Sequence, residues 1–364
     1  MQIELPISKS IANRWLMLQA IHGDELMPVS DSMPDDVQIL HNALTTLRTF
    51  KTSKTLSTPH IDVGNCGTAM RFLTAYCAQV EGQTTILDGI ERMHYRPIGQ
   101  LVDALREIGA DIEYLGEEGF PPLRIKGCIL DKHRMVTINN PQSTQYISAL
   151  LLIGANVITN STSPYIDITQ KVIKQYHLSP FSYHLSVEKD WSSAAFWYEY
   201  VALHGGEITL PGLSRDSLQG DKVVADIFTN LGVHTTYTAE GITLSPIAYS
   251  EASYSPLNGR PIAAQAASRS KILVQDFGNC PDLYPAVALT CERLGVELHA
   301  TGVESLPLKE SDRLRAVREH RTDADHRMAM ALLVAGYEVD DTACISKSYP
   351  QFIEQWKSVN TSNE

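Results

Sequence analysis

Residues 102–114, which read VDALREIGADIEY, decide the fold. Apolar residues at helical spacing lead up to Gly109, and apolar and polar residues alternate after it. A glycine directly after a helix lets the chain turn back, because glycine adopts left-handed backbone angles without a steric penalty. A second alternating stretch, through Leu123 and Ile125, follows Gly119. The pattern therefore predicts a helix that leads into a two-stranded hairpin.

The same order occurs again at residues 225–233, which read ADIFTNLGV and lead into a strand at 235–237 and then to Gly241 and Leu244. Helix, glycine and strand also follow one another in many unrelated α/β proteins. Two copies with a matching hairpin nevertheless favour a repeated βα unit. Helical and strand patterns alternate along the whole chain, which predicts an α/β or α+β architecture.

A third copy starts at residues 312–319 but continues directly to Asp325, without the glycine or the hairpin. Either further residues belong between Glu319 and Asp325, or the protein lacks this unit. Its loss would expose a neighbouring core and displace His326 and Arg327, so we expect that further residues belong there.

Composition describes a folded, acidic protein. The 364 residues carry 30 Lys and Arg against 42 Asp and Glu, a net charge of −12, and 43% are hydrophobic. The length predicts two domains, and the apolar content argues against disorder. The negative charge argues against nucleic acid or an anionic membrane as a partner. The net charge does not exclude a small anionic substrate, because a cleft can be locally basic while the rest of the surface is acidic.

The sequence has neither the basic and apolar start of a signal peptide nor an apolar stretch long enough to span a membrane; the nearest, 146–158, is interrupted by polar residues and a glycine. Six scattered cysteines predict reduced thiols in a cytoplasmic protein. Histidines without ligand spacing predict no dedicated metal site. Residues 250–271, rich in Ser, Ala, Pro and Gly, predict a long exposed connection.

Four short polar runs directly precede apolar, helix-like stretches: 8–10, 64–68, 142–145 and 325–327. Helix N-termini with Ser, Thr or Asp caps attract anions, and nearby Lys9, Arg14 and Arg327 add charge-assisted contacts. Each run alone is more often an ordinary cap. The run 64–68 lacks the Gly-Lys-Ser/Thr of a P-loop, so a nucleoside triphosphate is not expected.

These motifs resemble, in order, those of the 5-enolpyruvylshikimate-3-phosphate synthase family. The resemblance spans nearly the whole chain, so ordinary caps no longer explain the runs. The matching segments are Ser8-Lys9-Ser10 with Asn13-Arg14, Gly64-Asn65 with 67–71, Arg96-Pro97-Ile98, Ser143-Thr144-Gln145, 164–169, Gln219-Gly220-Asp221, Pro281-Asp282, 309–313, 325–330, and Lys347 with Tyr349-Pro350.

The resemblance implies an α/β (α+β) fold of two similar domains, each built from three βαβαββ units in an inside-out α/β barrel, with the active site in the interdomain cleft. It places the boundaries at 1–8 plus 190–364 for one domain and 9–189 for the other. It implies transfer of the enolpyruvyl group of phosphoenolpyruvate to the 5-hydroxyl of shikimate 3-phosphate, through a tetrahedral intermediate, on the way to chorismate and the aromatic amino acids. No cofactor and no metal are expected. The protein is expected to be a cytoplasmic monomer that glyphosate inhibits.

By matching position, the resemblance also implies the site. Catalytic roles fall to Asp282 as the base at the hydroxyl, Glu310 as the acid at the methylene carbon, and Lys9 at the leaving phosphate. Shikimate 3-phosphate would meet Lys9, Ser10, Arg14, Ser143, Thr144, Gln145, Thr162, Tyr165, Asp282, Ser305 and Lys309. Phosphoenolpyruvate would meet Lys9, Asn65, Gly67, Arg96, Gln145, Arg313, His326, Arg327 and Lys347.

Some positions depart from the family pattern. Ser305 stands where the family usually has Asn, Thr162 where it has Ser, Cys66 where it has Ala, and Phe72 where it has Pro. Glu310 stands near Lys309 and Arg313, whose charges favour the carboxylate, so an acid role requires compensating burial.

Two alternatives remain. The related transferase that acts on UDP-N-acetylglucosamine carries a reactive cysteine before its Arg-Pro-Ile segment, whereas residues 88–98 contain none. A non-catalytic relative that binds phosphorylated metabolites would fit the incomplete third copy, but the chain keeps Asp282 and Glu310.

Overall fold

A computed structural model describes residues 1–53, 57–179, 187–247, 252–254, 261–263 and 272–361. The chain forms two compact units. The first-half unit comprises Lys9–Asp31 and Asp35–Val187. The second-half unit comprises Met1–Ser8, Ser32–Pro34 and Glu188–Glu364.

The first-half unit is mixed α/β. Its helices are α1 (Lys9–His22), α2 (Asp35–Ser53), α3 (Gly67–Ala78), α4 (Gly99–Glu107), α5 (Gln145–Leu152) and α6 (Pro164–Leu178), with a short 3₁₀ helix at Glu91–Tyr95. Its strands are β1 (His60–Asp62), β2 (Thr84–Asp88), β3 (Asp111–Tyr114), β4 (Leu123–Lys126), β5 (Met135–Thr137) and β6 (Asn156–Ile158).

One complete βαβαββ unit runs from β1 to β4. The sheet order is β1-β2-β4-β3, with β1 parallel to β2 and both other pairs antiparallel. The helix α4 ends at Glu107, and Gly109 takes a φ of 101°, which a side chain would oppose. The strands β3 and β4 then form the hairpin. The prediction made from residues 102–114 is confirmed.

The helices α1 and α3 form the centre of this unit. Nearly all of α3 is buried, including Arg71 at 3% exposure, and α1 buries Arg14 at 2%. A buried guanidinium needs partners for its N–H groups, so both arginines are fixed by hydrogen bonds inside the unit.

The second-half unit is also mixed α/β, as predicted. Its helices are α7 (Trp191–His204), α8 (Val224–Thr229), α9 (Tyr284–Leu294), α10 (Arg313–Glu319), α11 (His326–Val334) and α12 (Phe352–Thr361). Its strands are β7 (Ile208–Pro211), β8 (Val233–Tyr237), β9 (Gly241–Pro246), β10 (Ala252–Tyr254), β11 (Pro261–Ala263), β12 (Ile272–Asp276) and β13 (Glu297–Thr301).

The first sheet of this unit has the order β7-β9-β8, so the second predicted hairpin is confirmed as β8 and β9. The start of the chain joins the same sheet. Gln2 forms a parallel bridge to Thr209 in β7, and the Ile3 N–H donates to the Thr209 carbonyl at 2.9 Å. The early segment of the chain thus supplies the neighbour that β7 would otherwise lack.

The connection predicted at 250–271 lies mostly outside the described residues. Within it, β10 and β11 pair as a short antiparallel hairpin. The parallel pair β12 and β13 follows it, and the long exposed connection stays a prediction.

The connection between α10 and α11 is short and compact. His320 caps the C-terminus of α10 in a left-handed conformation, and the Asp325 N–H then donates to the Thr322 carbonyl at 2.9 Å. His326 is fully buried at the start of α11, and Arg327 is 3% exposed. The expectation that further residues belong here is wrong, because the connection closes without exposing the core or displacing these two side chains.

Among the described residues, no helix is both long and apolar enough to cross a membrane. The stretch 146–158 divides into α5, a turn at Gly154 and β6.

Candidate active site

The predicted site residues are divided between the two units, and each set is called a cluster below. The first-half cluster contains Lys9, Ser10, Arg14, Asn65, Gly67, Arg96, Ser143, Thr144, Gln145, Thr162 and Tyr165. The second-half cluster contains Asp282, Ser305, Lys309, Glu310, Arg313, His326, Arg327 and Lys347.

Lys9 opens α1, and its ammonium lies 2.9 Å from Asp36 Oδ2. Asp36 is almost fully buried, whereas the Lys9 side chain keeps 15% of its surface exposed. The pair therefore holds a cation at the start of α1 with one side open to solvent.

The glycine-rich segment before α3 lies against Arg96. Arg96 Nη1 donates to the backbone carbonyl and the side-chain oxygen of Asn65, at 3.2 and 3.4 Å. A Cβ on Gly67 would meet the guanidinium, so this position has no room for a side chain. Arg96 Nε has no partner among the described residues, and it can therefore donate to a bound anion.

Arg71 donates hydrogen bonds to the backbone of the two segments that flank the Arg96 guanidinium. Its Nη1 donates to the Gly67 carbonyl at 3.2 Å and its Nη2 to the Pro97 carbonyl at 2.9 Å. Burial, together with the charge of Arg96, lowers the pKa of Arg71 to about 10. Arg71 thus holds the backbone at Gly67 and at Pro97, next to Arg96, while remaining protonated at neutral pH.

The start of α5 reaches the same segment. Gln145 Nε2 donates to Thr68 Oγ1 at 2.9 Å, and the Gln145 N–H donates to Ser143 Oγ at 3.3 Å. At the start of α6, the capping hydroxyl is that of Ser163, which accepts from the Tyr165 N–H. Thr162, the predicted ligand, is exposed one residue earlier.

Arg14 directs its side chain into the unit. Its Nε donates to Thr169 Oγ1 at 2.7 Å, its Nη1 to the Ser10 carbonyl at 2.7 Å, and its Nη2 to Ser148 Oγ at 3.1 Å and the Tyr165 carbonyl at 3.0 Å. Burial lowers the pKa of Arg14 to about 10. Four of its five N–H groups are therefore occupied by protein.

In the second-half cluster, three cations surround Asp282. Arg313 Nη1 lies 2.8 Å and Lys309 Nζ 3.6 Å from Oδ1, and Arg327 Nη2 lies 3.0 Å from Oδ2. The cluster gathers both a carboxylate that can accept a proton and more positive than negative charge.

Glu310 lies between two further basic groups. His326 Nδ1 is 2.7 Å from its Oε2, and Lys347 Nζ is 3.4 Å from its Oε1. The Glu310 side chain is 10% exposed, and its acid role stays a prediction because both basic neighbours favour the carboxylate. Lys309 and Arg313, its neighbours in sequence, pair with Asp282 instead.

Arg313 is fixed by a second carboxylate. Its Nε donates to Asp325 Oδ2 at 2.8 Å, and Asp325 also caps α11. Burial opposes the charge of Arg313, but Asp325 and Asp282 outweigh it and raise its pKa. Arg327 has an Nη1 that is buried without a partner in the described part of the chain. This N–H group is available to a ligand. Ser305 is half-buried and opens the 3₁₀ helix Leu306–Leu308.

Glu310, Asp325 and His326 are also close enough together to hold a metal ion, since one donor atom from each lies within 4.8 Å of the others. Arg313 and Lys347 already neutralise the two carboxylates. The site is thus supplied with protein cations, and the expectation of no metal stays a prediction.

Several residues of these clusters were missed by the sequence reasoning. Asp36 lies in a helical segment without a distinguishing pattern. Asp221 stands in one of the matching segments, but no role was assigned to it. Asp325 had a visible signal, its place before a helix, and Ser148 interrupts an otherwise apolar stretch. Neither signal names the arginine that the side chain contacts.

Known proteins resemble the chain over its full length. The family model of EPSP synthase (3-phosphoshikimate 1-carboxyvinyltransferase) matches residues 1–179 and 177–356. A 3-phosphoshikimate 1-carboxyvinyltransferase of Bacteroides fragilis is 36% identical and covers 96% of this chain and 93% of its own. One of Colwellia psychrerythraea is 30% identical and covers 99% and 96%.

The alignment with the Bacteroides fragilis protein runs over 412 positions, more than the 364 residues of this chain. That relative therefore has residues at positions where this chain has none.

Solved structures show the same fold. EPSP synthase from Acinetobacter baumannii superposes with a TM-score of 0.64 at 17% identity, over 98% of this chain and 95% of its own. The enolpyruvyl transferase NikO from Streptomyces tendae gives 0.61 at 11% identity, over 99% and 94%. The ordered motifs, the fold and the family match agree, and the chain belongs to the EPSP synthase family.

Proposed function

We propose that the protein transfers the enolpyruvyl group of phosphoenolpyruvate to the 5-hydroxyl of shikimate 3-phosphate and releases phosphate. The observation that carries this proposal is the Asp282 cluster, in which one carboxylate stands among Lys309, Arg313 and Arg327. Such a group can take a proton from a hydroxyl while the cations bind the anionic groups of both substrates.

Charge supports the assignment of both substrates. The chain carries a net charge of −12, yet basic side chains dominate the two clusters. Arg96 Nε and Arg327 Nη1 are donors without a partner among the described residues, as expected for sites that bind carboxylate or phosphate.

The chemistry follows from the groups present. Asp282 takes the proton of the 5-hydroxyl while the hydroxyl oxygen forms a bond to C2 of phosphoenolpyruvate. At the same time, the Glu310 carboxylic acid protonates C3. The Glu310 carboxylate then takes a proton back from C3 of the tetrahedral intermediate as the bond from C2 to the phosphate oxygen breaks, and Lys9 assists the departing phosphate. His326 Nδ1 lies 2.7 Å from Glu310 Oε2, so the imidazole orients the carboxyl group that exchanges this proton with C3.

Phosphate release from the two substrates tests this proposal. We expect Asp282→Ala and Glu310→Gln to reduce kcat by about a hundredfold or more. Glu297→Gln, which changes an exposed carboxylate of β13 in the same unit, should leave turnover unchanged. Full turnover in both site variants would overturn the assignment.

Replacing one substrate separates the alternatives. A UDP-N-acetylglucosamine transferase would release phosphate with that sugar nucleotide and not with shikimate 3-phosphate. A non-catalytic relative would bind shikimate 3-phosphate without releasing phosphate from phosphoenolpyruvate.

We further propose that the two units are enolpyruvyl transferase domains and that residues of both serve this reaction. The boundary assignment of 1–8 plus 190–364 and 9–189 belongs to this proposal. The protein is expected to act in the cytoplasm, without a cofactor and as a monomer. Sedimentation of the purified protein tests the monomeric state. Glyphosate should compete with phosphoenolpyruvate, since Gly67 leaves the space beside Arg96 free of a side chain.

A further inference from the structure

A buried polar network connects three helices of the first-half unit. Thr169 Oγ1 accepts a hydrogen bond from Arg14 Nε at 2.7 Å and lies 2.8 Å from Ser148 Oγ. Ser148 Oγ also accepts from Arg14 Nη2 at 3.1 Å. Thr169 and Ser148 are fully buried, and Arg14 is 2% exposed. None of the three side chains therefore has solvent as an alternative partner.

Each member of the network belongs to a helix whose first turn carries predicted ligands of shikimate 3-phosphate. Arg14 is in α1, which opens with Lys9 and Ser10. Ser148 is in α5, which follows Ser143 and Thr144, and Thr169 is in α6, which contains Tyr165. Since each residue lies one or two turns inside its helix, the network determines how the three N-termini are placed relative to one another.

Two backbone contacts extend the network directly to these N-termini. Arg14 Nη1 donates to the Ser10 carbonyl at 2.7 Å, and Arg14 Nη2 to the Tyr165 carbonyl at 3.0 Å. The Phe72 ring covers the guanidinium, with its centroid 5.5 Å from Arg14 Cζ. Arg14 therefore has a single geometry that satisfies these contacts, and a lost hydroxyl would leave a buried N–H without an acceptor.

We propose that Thr169 and Ser148 are positioning residues, which act through Arg14 to place the ligands of shikimate 3-phosphate at the starts of α1, α5 and α6. The inference rests on the proposed function, because it assumes that this substrate binds there. Of the predicted phosphoenolpyruvate ligands in this unit, Gly67 and the segment after Arg96 are held by Arg71 rather than by this network. Lys9 and Gln145, which open α1 and α5, are shared by both substrates.

Thr169→Val tests the inference, since it removes the hydroxyl and keeps the shape. Calorimetric titration of the free protein with shikimate 3-phosphate should show a Kd about tenfold higher than in the parent. The KM for phosphoenolpyruvate at saturating shikimate 3-phosphate should rise by clearly less than this factor, because Gly67 and Arg96 are held independently of the network. Thr169→Ser, which restores an Oγ, should return the Kd to near the parent value.

Thr74→Val is the matched control. Thr74 is likewise fully buried in a helix of this unit, and its hydroxyl donates to the Met70 carbonyl four residues earlier, as Thr169 does to Tyr165. This variant should lose a comparable amount of stability in urea unfolding while its Kd for shikimate 3-phosphate is unchanged.

The outcomes separate the two proposals. Equal weakening in Thr169→Val and Thr74→Val, or parallel increases in the Kd for shikimate 3-phosphate and the KM for phosphoenolpyruvate, would overturn the positioning role. Binding of shikimate 3-phosphate by the parent without phosphate release would overturn the proposed function and leave the Kd comparison decisive. A parent that does not bind shikimate 3-phosphate overturns both. Should Thr169→Val fail to fold, Ser148→Ala provides the same comparison.

Discussion

Gly67 and Arg96 are in direct contact, and a Cβ on Gly67 would lie 2.7 Å from Arg96 Cζ. The guanidinium is held by Asn65, so it cannot withdraw without losing both hydrogen bonds. The backbone of one residue thus sets the position of a cation proposed to bind phosphoenolpyruvate.

Gly67→Ala should therefore displace Arg96. Overpacking of this kind costs about 1–3 kcal/mol, so we expect the KM for phosphoenolpyruvate to rise about tenfold or more. The Kd for shikimate 3-phosphate should stay near the parent value. Gly116→Ala, where a Cβ would make an ordinary contact with Pro122, serves as the control. Steady-state kinetics with each substrate varied in turn measures both effects, and an unchanged KM in Gly67→Ala would refute the explanation.

We expect the ionisation of Asp221 to make the KM for phosphoenolpyruvate depend on pH. Asp221 is hydrogen-bonded to Ser192, and burial together with the charge of Asp282 raises its pKa to about 7. Below that pH the carboxyl is neutral, and above it a second negative charge lies near Asp282 and Arg327. We expect the KM for phosphoenolpyruvate to rise between about pH 6 and pH 8 in the parent. In Asp221→Asn this added rise should be absent, and identical profiles would contradict the prediction.

We expect the buried carboxyl group of Glu199 to make the free energy of unfolding depend on pH. Glu199 is fully buried in α7, and neither carboxyl oxygen has a hydrogen-bond partner among the described residues. Burial raises its pKa well above the ordinary value of 4.5. The folded protein therefore holds a proton that the unfolded chain releases, so the free energy of unfolding falls as pH rises above about 4.5.

One such proton changes the free energy of unfolding by up to about 1.4 kcal/mol per pH unit. Urea unfolding between pH 5 and pH 8 should give a shallower decline for Glu199→Gln than for the parent. Glu207→Gln, which changes an exposed carboxylate just beyond α7, should follow the parent. Parallel slopes for the parent and Glu199→Gln would rule out this source.

The connection between α10 and α11 contains three residues with positive φ: His320 at 51°, Asp323 at 46° and Ala324 at 56°. Left-handed angles cost an alanine about 1–2 kcal/mol, whereas glycine adopts them freely. Because glycine also loses more entropy on folding, Ala324→Gly should stabilise the protein by about 0.5–1 kcal/mol. Ala335→Gly, at a φ of −70°, should destabilise it. Chemical denaturation measures both, and destabilisation by Ala324→Gly would contradict the strain argument.

The sequence predicted those parts of the fold in which a local pattern determines the structure. Gly109 ends a helix and residues 111–114 form a strand, because both depend on neighbouring residues alone. The connection 320–325 was wrongly predicted because its closure depends on contacts distant in sequence, such as the hydrogen bond between Thr322 and Asp340.

The candidate site shows the same division. Its motifs identified Lys9, Asp282 and Glu310, but sequence neighbours of Glu310 suggested the wrong partners. Lys309 and Arg313 pair with Asp282, and Glu310 contacts His326 and Lys347. Which cation faces which carboxylate depends on the helical rotation and packing of several elements, and no spacing rule in a single sequence contains that information.

The bridge between Gln2 and Thr209 has a consequence for biosynthesis. Gln2 and Ile3 are synthesised before the strand that pairs with them, since Thr209 follows on the order of ten to forty seconds later at ordinary rates of translation. All residues of the first-half unit have been made by then. Gln2 and Ile3 therefore have no partner in β7 while the residues of the first-half unit are being made, and this sheet is completed only afterwards.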